Sequence, residues 1–132
     1  MEQTFIIVKP EAVSRGLTGE ILRRFEQKGL KITRLEMTQI AEETARVHYG
    51  HHADKPFFPG LLEAITAGPV VMTILEGPNA IKQVRNLIGA TDPTEAQPGS
   101  IRGDFASELP YNMVHASDAP ATAAEEIARF FG

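Results

Sequence analysis

The sequence contains no cysteine, which excludes a disulfide framework, thiolate catalysis and cysteine-bound zinc. It also lacks any apolar run of membrane-spanning length. The opening run Thr4-Phe5-Ile6-Ile7-Val8 is too short for a signal-peptide core and has no basic lead-in, so a soluble, untargeted, cytoplasmic protein is expected. A large excess of either charge is absent. The net charge is −4 with acids and bases interspersed, so no basic face exists for nonspecific nucleic-acid binding. A Walker A phosphate loop is missing too, because Gly16-Leu17-Thr18-Gly19 lacks the lysine and the spacing. Any nucleotide would be held by side chains. No internal repeat, linker or low-complexity segment is found.

What remains is an ordinary globular composition, 42% hydrophobic and 23% charged, over 132 residues. That length suits one domain, residues 1–132, able to bury a core without disulfides or a structural metal. Phe5 to Val8 reads as a buried strand that stops at Lys9-Pro10, its last residue entering a loop. Thr18 to Lys28 reads as a helix with Ile21, Leu22 and Phe25 on one face, Thr18 as its N-cap and Gly29 as its C-cap. Leu30 to Ile40 alternates roughly, as a second strand would. Helices are expected over Ala41 to Tyr49 and Phe57 to Ala67, pairing as a hairpin across the polar loop Gly50 to Lys55. Val70 to Leu75 is the clearest strand, ended by Gly77-Pro78, and Asn79 to Ile88 is helical with Gly89 just past its end. Thr91 to Tyr111 reads as a long irregular stretch of the kind that is functional or disordered. Met113 to His115 forms the last strand, and a helix follows from Thr122 with a Thr122/Glu125 capping box. This order predicts an α+β, ferredoxin-like β-α-β-β-α-β sandwich: an antiparallel sheet covered by helices, with an added helical hairpin and a C-terminal helix.

Histidine is the side chain most used for covalent catalysis, proton transfer and metal binding near neutral pH. His48, His51 and His52 have spacings that could face one metal, but Gly50 breaks the register and no further ligand motif accompanies them. Polar helix-end and loop histidines are the stronger reading. His115 lies at the end of an apolar strand among Asn112, Ser117 and Asp118, which can orient it or a ligand. A lone histidine there is more often structural than catalytic, since catalysis requires a convergent pocket. Lys9, Arg85 and Arg102, with the hydroxyls of Tyr49 and Thr91, could together supply the donors for a polyphosphate.

Asn112-Met113-Val114-His115-Ala116-Ser117-Asp118 resembles the Asn-x-x-His-x-Ser-Asp motif of the nucleoside diphosphate kinase family. The resemblance runs from Thr4 onward through Thr4 to Pro10, His48-Tyr49, Pro56-Phe57-Phe58, Gly68-Pro69-Val70, Gly89 to Pro93 and Gly99 to Phe105. It implies ping-pong transfer of a γ-phosphate from a nucleoside triphosphate such as ATP or GTP to a diphosphate such as GDP, CDP, UDP or a deoxynucleoside diphosphate. A pros-phosphohistidine at His115 carries the group. It implies that Glu126 and Ser117 support His115 and that Lys9, Tyr49, Arg85, Thr91 and Arg102 contact phosphates. Lys9 and Asn112 reach the ribose, Phe57 stacks on the base and Leu109 covers its other face. Mg²⁺ arrives on the phosphates, with at most a water-mediated contribution from Asp118 and no direct protein ligand. Broad base and sugar specificity and a homo-oligomer, tetramer or hexamer, are implied as well. Ala116 stands where the family often has glycine, and Ala119-Pro120 where a serine is common. Family members often continue beyond the position of Gly132 with an extension that packs on neighbouring subunits. Two other readings stand beside the enzyme. A non-catalytic ferredoxin-like sensing or interaction module would not need Lys9, Tyr49, Arg85, Arg102 and His115 together. A kinase-like protein devoted to partner or nucleic-acid binding is disfavoured by the acidic balance.

Overall fold

The structure is a computed structural model that describes residues 1–132. Its centre is a four-stranded sheet of β1 (Glu2–Val8), β2 (Lys31–Thr38), β3 (Val70–Gly77) and β4 (Val114–Ala116), in the order β2-β3-β1-β4. All neighbours are antiparallel. Both crossovers skip one strand, the split β-α-β arrangement expected of a ferredoxin-like sandwich.

The apolar run in β1 follows from its place. As an inner strand covered on both faces, it buries successive residues on opposite sides. Ile6 and Val8 join one core with Ile21 and Phe25 of α2 (Thr18–Gln27) and Val84 and Ile88 of α5 (Ala80–Ile88). Phe5 and Ile7 join the other, with Ala45 of α3 (Glu42–His48), Leu62 and Ile65 of α4 (Phe58–Thr66), and Ile127 and Phe130 of α7 (Pro120–Phe131) packed against it. α3 and α4 pair as the expected hairpin.

Several local expectations need correction. Lys9-Pro10 does not open a plain loop, because Pro10 starts α1 (Pro10–Ser14) with its fixed φ suited to a first helical turn. Thr18 is already inside α2, whose N-cap is Leu17 with no side-chain cap. The Thr122/Glu125 capping box is absent for the same reason: α7 begins at Pro120, two residues earlier, with Ala119 as N-cap. The stretch Thr91 to Tyr111 is not irregular throughout. It holds a 3-10 turn at Pro93–Glu95 and α6 (Ile101–Phe105), which Ser100 caps by accepting from the Gly103 N–H at 3.0 Å. The alternation in β2 does not mark a buried face, since nearly the whole strand is exposed. β2 is an edge strand whose register shifts between Ile32 and Arg34. β4 starts one residue late because Met113 takes a left-handed φ of 73°.

Candidate active site

His115 owes its orientation to strand register. It pairs with Ile7, so its side chain emerges on the sheet face occupied by Phe5, Ile7 and α7, while Val114 and Ala116 enter the opposite core. There it meets Glu126. α7 lays Ala123, Glu126, Ile127 and Phe130 along its inner stripe, and a carboxylate on such a stripe needs partners to be tolerated. Glu126 has them: Oε2 lies 2.8 Å from His115 Nε2, and Oε1 accepts from the Ser117 hydroxyl at 2.6 Å. Burial pushes this carboxyl up, but the hydrogen bonds from His115 and Ser117 and the histidine charges outweigh it, holding it below the usual carboxylate range. An ionised carboxylate can only accept, so His115 carries its proton on Nε2. Nδ1 makes no protein hydrogen bond and keeps its lone pair. Ser117 therefore acts on Glu126 and does not touch the His115 ring.

His115 faces a cleft of about 750 Å³ that also takes in Lys9, Tyr49, Phe57, Arg85, Thr91, Arg102, Leu109, Asn112, Asp118 and Glu126. Of the residues singled out from sequence, only Ser117 is absent from its wall. A second hollow of about 530 Å³, between the start of β1 and α7, has no such convergence of cations.

The cations differ in how they are held. Arg102 is buried, with Nε donating to Asn112 O at 3.3 Å, Nη1 to Gly89 O at 2.9 Å and Nη2 to Val114 O at 2.8 Å. It clasps the end of α5 to the strand that carries His115. Burial, and then the nearby charge of Arg85, lowers it to about 10, so it stays a cation at neutral pH. Arg85 spends one contact on Ala116 O at 3.2 Å. Two guanidiniums this close repel unless an anion lies between or beside them. Lys9 is buried at the end of β1. It donates to Pro110 O and to Asn112 Oδ1 at 3.0 Å and pairs with Glu11 at 3.6 Å, and burial lowers its pKa. Asn112 in turn donates to Thr91 O at 3.0 Å, tying the cleft wall together. Burial, with the negative charges of Glu11 and Glu126, pushes the Tyr49 hydroxyl up to about 12, so it remains a donor.

Phe57 and Leu109 are half exposed, at 52% and 50%, on the cleft wall, where apolar groups left in water invite a flat ring. Asp118 is an exposed carboxylate in the same wall. One carboxylate beside a phosphate site is how Mg²⁺ is commonly met by protein, the rest of its shell being water and phosphate oxygen.

The expected loop from Gly50 to Lys55 instead opens with a 3-10 turn, Gly50–His52, that carries His51 and His52. His48 does end α3 as expected, but it is buried there with Ala45, next to the buried Tyr49. Its ring stands edge-on to His115, centroids 4.5 Å apart. Ligand atoms of His48, His115 and Glu126 all lie within 4.8 Å of one another. Two imidazoles and a carboxylate suit a transition metal rather than Mg²⁺. However, Arg129 Nη1 lies 3.1 Å from His48 Nδ1 and occupies that lone pair with a cation. Sequence reasoning weighed His48 only with His51 and His52, missing its place beside His115, and missed Arg129 altogether. The available signal was the helical spacing Ala45, His48, Tyr49, which places a polar ring on an apolar face. Glu11 was missed as well; it accepts from the Met113 N–H at 3.1 Å and holds the left-handed turn that feeds β4.

The model of the nucleoside diphosphate kinase family matches residues 2–132. The chain belongs to that family. It is 59% identical to the nucleoside diphosphate kinase of Nocardia farcinica, over 98% of this chain and 94% of that protein. It is 56% identical to that of Archaeoglobus fulgidus, over 99% and 87%. Among solved structures it is similar to a halophilic nucleoside diphosphate kinase from Halobacterium salinarum in complex with CDP, with a TM-score of 0.97, 49% identity and coverage of 98% of this chain and 87% of that one. The activity is accordingly phosphotransfer between nucleotides, and the fold is the family's ferredoxin-like α+β sandwich. No helix is long and apolar enough to cross a membrane.

Proposed function

We propose that His115 is the phosphoryl carrier. The observation that supports this most strongly is the asymmetry of its ring: Nε2 is engaged by Glu126 at 2.8 Å while Nδ1 is free in a cleft rimmed by cations. The Nδ1 lone pair attacks the γ-phosphorus of a bound nucleoside triphosphate. The bond to the β,γ-bridging oxygen breaks, the diphosphate departs with those electrons, and a pros-phosphohistidine remains. A second nucleoside diphosphate then attacks in the reverse sense. The proton on Nε2 never leaves, and the Glu126 carboxylate offsets the positive charge that the ring acquires. Phosphoryl transfer needs in-line positioning and charge stabilisation more than covalent machinery. In this reading Tyr49, Arg85, Thr91 and Arg102 hold the phosphates, Lys9 and Asn112 reach ribose and phosphate, and Phe57 and Leu109 sandwich the base. A slot made of stacking and sugar contacts discriminates little among bases, so ATP, GTP, GDP, CDP, UDP and deoxynucleotides are all substrates. Mg²⁺ bound with the nucleotide would supply further charge neutralisation, and Asp118 would be the carboxylate to meet it through water.

Residues 1–132 act as one catalytic domain in the cytoplasm. The exposed edge strand β2, with Leu35 52% and Met37 61% exposed, supports a homo-oligomer, since such an edge is ordinarily covered. The test incubates the protein with γ-labelled ATP and Mg²⁺. The label is expected to be acid-labile and alkali-stable on protein and to chase onto GDP or CDP. A His115→Ala variant that labels and turns over like wild type overturns the assignment.

A further inference from the structure

Glu126 faces two imidazoles. Oε2 is 2.8 Å from His115 Nε2 and 3.8 Å from His48 Nδ1, and the rings stand edge to face with an interplanar angle of 82°. A carboxylate shared in this way serves the nucleophile only if the second ring is kept from donating to it. If Nδ1 of His48 carried a proton, a small rotation would let it compete for Oε2, and the His115 tautomer would no longer be fixed.

Arg129 prevents this by chemistry alone. A guanidinium donates and never accepts, and its Nη1 lies 3.1 Å from His48 Nδ1, so that nitrogen must be the acceptor and the proton must sit on Nε2. His48 Nε2 is buried and has no partner. The opposite tautomer would give Glu126 a second donor and leave no buried N–H orphaned, so the observed state is imposed on His48 from outside. Arg129 follows Glu126 by three residues on α7, which places both on one helical face.

We propose, building on the reading of His115 as phosphoryl carrier, that Arg129 is a positioning residue: it locks His48 as the neutral Nε2–H tautomer and thereby reserves Glu126 for His115. The charged and titratable groups acting on His48 are His115, Glu126, Arg129 and His51. Burial chiefly, with the positive charges of His115, Arg129 and His51 against the opposing Glu126, lowers its pKa to about 3, in keeping with a ring that stays neutral during turnover.

The test compares wild type, Arg129→Met and Arg129→Lys by long-range ¹H–¹⁵N spectra of the histidine rings and by single-turnover labelling of His115 from Mg²⁺ and ATP between pH 5.5 and 8.5. In Arg129→Met, the His48 ring is expected to shift to the neutral Nδ1–H pattern. Labelling is expected to slow by about tenfold to a similar extent at every pH in this range, the scale of losing one charge-assisted hydrogen bond. Arg129→Lys, which keeps a cationic donor, restores much of both. In a His48→Phe background the competitor is gone, and adding Arg129→Met costs nothing further. The proposal is overturned if Arg129→Met leaves the His48 tautomer or the labelling rate unchanged, or if its loss persists undiminished with Phe at position 48. If wild type itself forms no phosphohistidine, the carrier assignment fails instead, and the ring spectra still decide the tautomer lock.

Discussion

Glu126→Gln removes a charge from behind His115 while keeping almost the same side-chain volume. The amide can turn its oxygen toward the His115 Nε2–H and its NH₂ toward Ser117, whose hydroxyl can accept, so both contacts at 2.8 and 2.6 Å retain a partner. What is lost is the anion opposite a ring that becomes cationic as its Nδ1 takes the phosphoryl group. Hydrogen bonds to charged groups contribute about 1.5–3 kcal/mol. If that difference is expressed in the transition state, phosphorylation slows by about 10- to 150-fold, with nucleotide affinity nearly unchanged. Rapid-quench measurement of phosphoenzyme formation from γ-labelled ATP reads this directly. The pH dependence is part of the prediction. The carboxyl is held below its ordinary value of 4.5, so its contribution is complete above that value and fades only as pH falls through the lowered one. The ratio of wild-type to variant rates should therefore be flat from pH 6 to pH 9. A Glu126→Gln rate within a factor of two of wild type would refute the role assigned to the carboxylate.

Arg102 and Arg85 are predicted to separate stability from activity. Arg102→Met strands the carbonyls of Gly89, Asn112 and Val114 and should cost about 3–5 kcal/mol, a melting-temperature fall of about 10–20 °C, whereas Arg85→Met should change melting little while raising nucleotide KM. A calorimetric shift under 3 °C for Arg102→Met would contradict the clasp. Phe57→Ala should raise KM for purine and pyrimidine nucleotides alike by about 5- to 100-fold, the scale of one stacking contact, and leave stability almost intact because the ring is 52% exposed; a strongly base-dependent effect would argue against simple stacking. His48, lowered from 6.5 to about 3, binds its proton in the unfolded chain before the folded one, so stability should fall as pH drops below 6.5 by up to about 1.4 kcal/mol per unit. Urea unfolding at pH 7, 6 and 5 should show this slope, and it should shrink by about one proton in His48→Phe.

The sheet was legible from sequence because burial imposes a pattern on it: β1 and β3 are covered on both faces and read as continuous apolar runs bounded by Pro and Gly. Helix starts were harder. Thr18 and Thr122 have the chemistry of caps, yet Leu17 and Ala119 hold those positions because the chain enters each helix early and Pro120 is already suited to the first turn. Short α6 was hidden by Gly103, although Ser100 before it carried a real capping signal. Each cleft residue was visible as a residue type, and the structure brings them into one cleft through contacts between segments far apart in sequence. For His48 the spacing Ala45, His48, Tyr49 signals burial alone; its place beside His115 comes from contacts with Phe130 and Arg129 of α7. Arg129 carries no local signal at all.

Position along the chain adds a consequence for folding. The cleft draws on Lys9 near one end of the sequence and Glu126 near the other, and contacts of such wide separation close late in folding. Because Glu126 stands behind His115 only once α7 has docked on β1, a chain with its sheet formed but α7 undocked has a histidine with no carboxylate behind it.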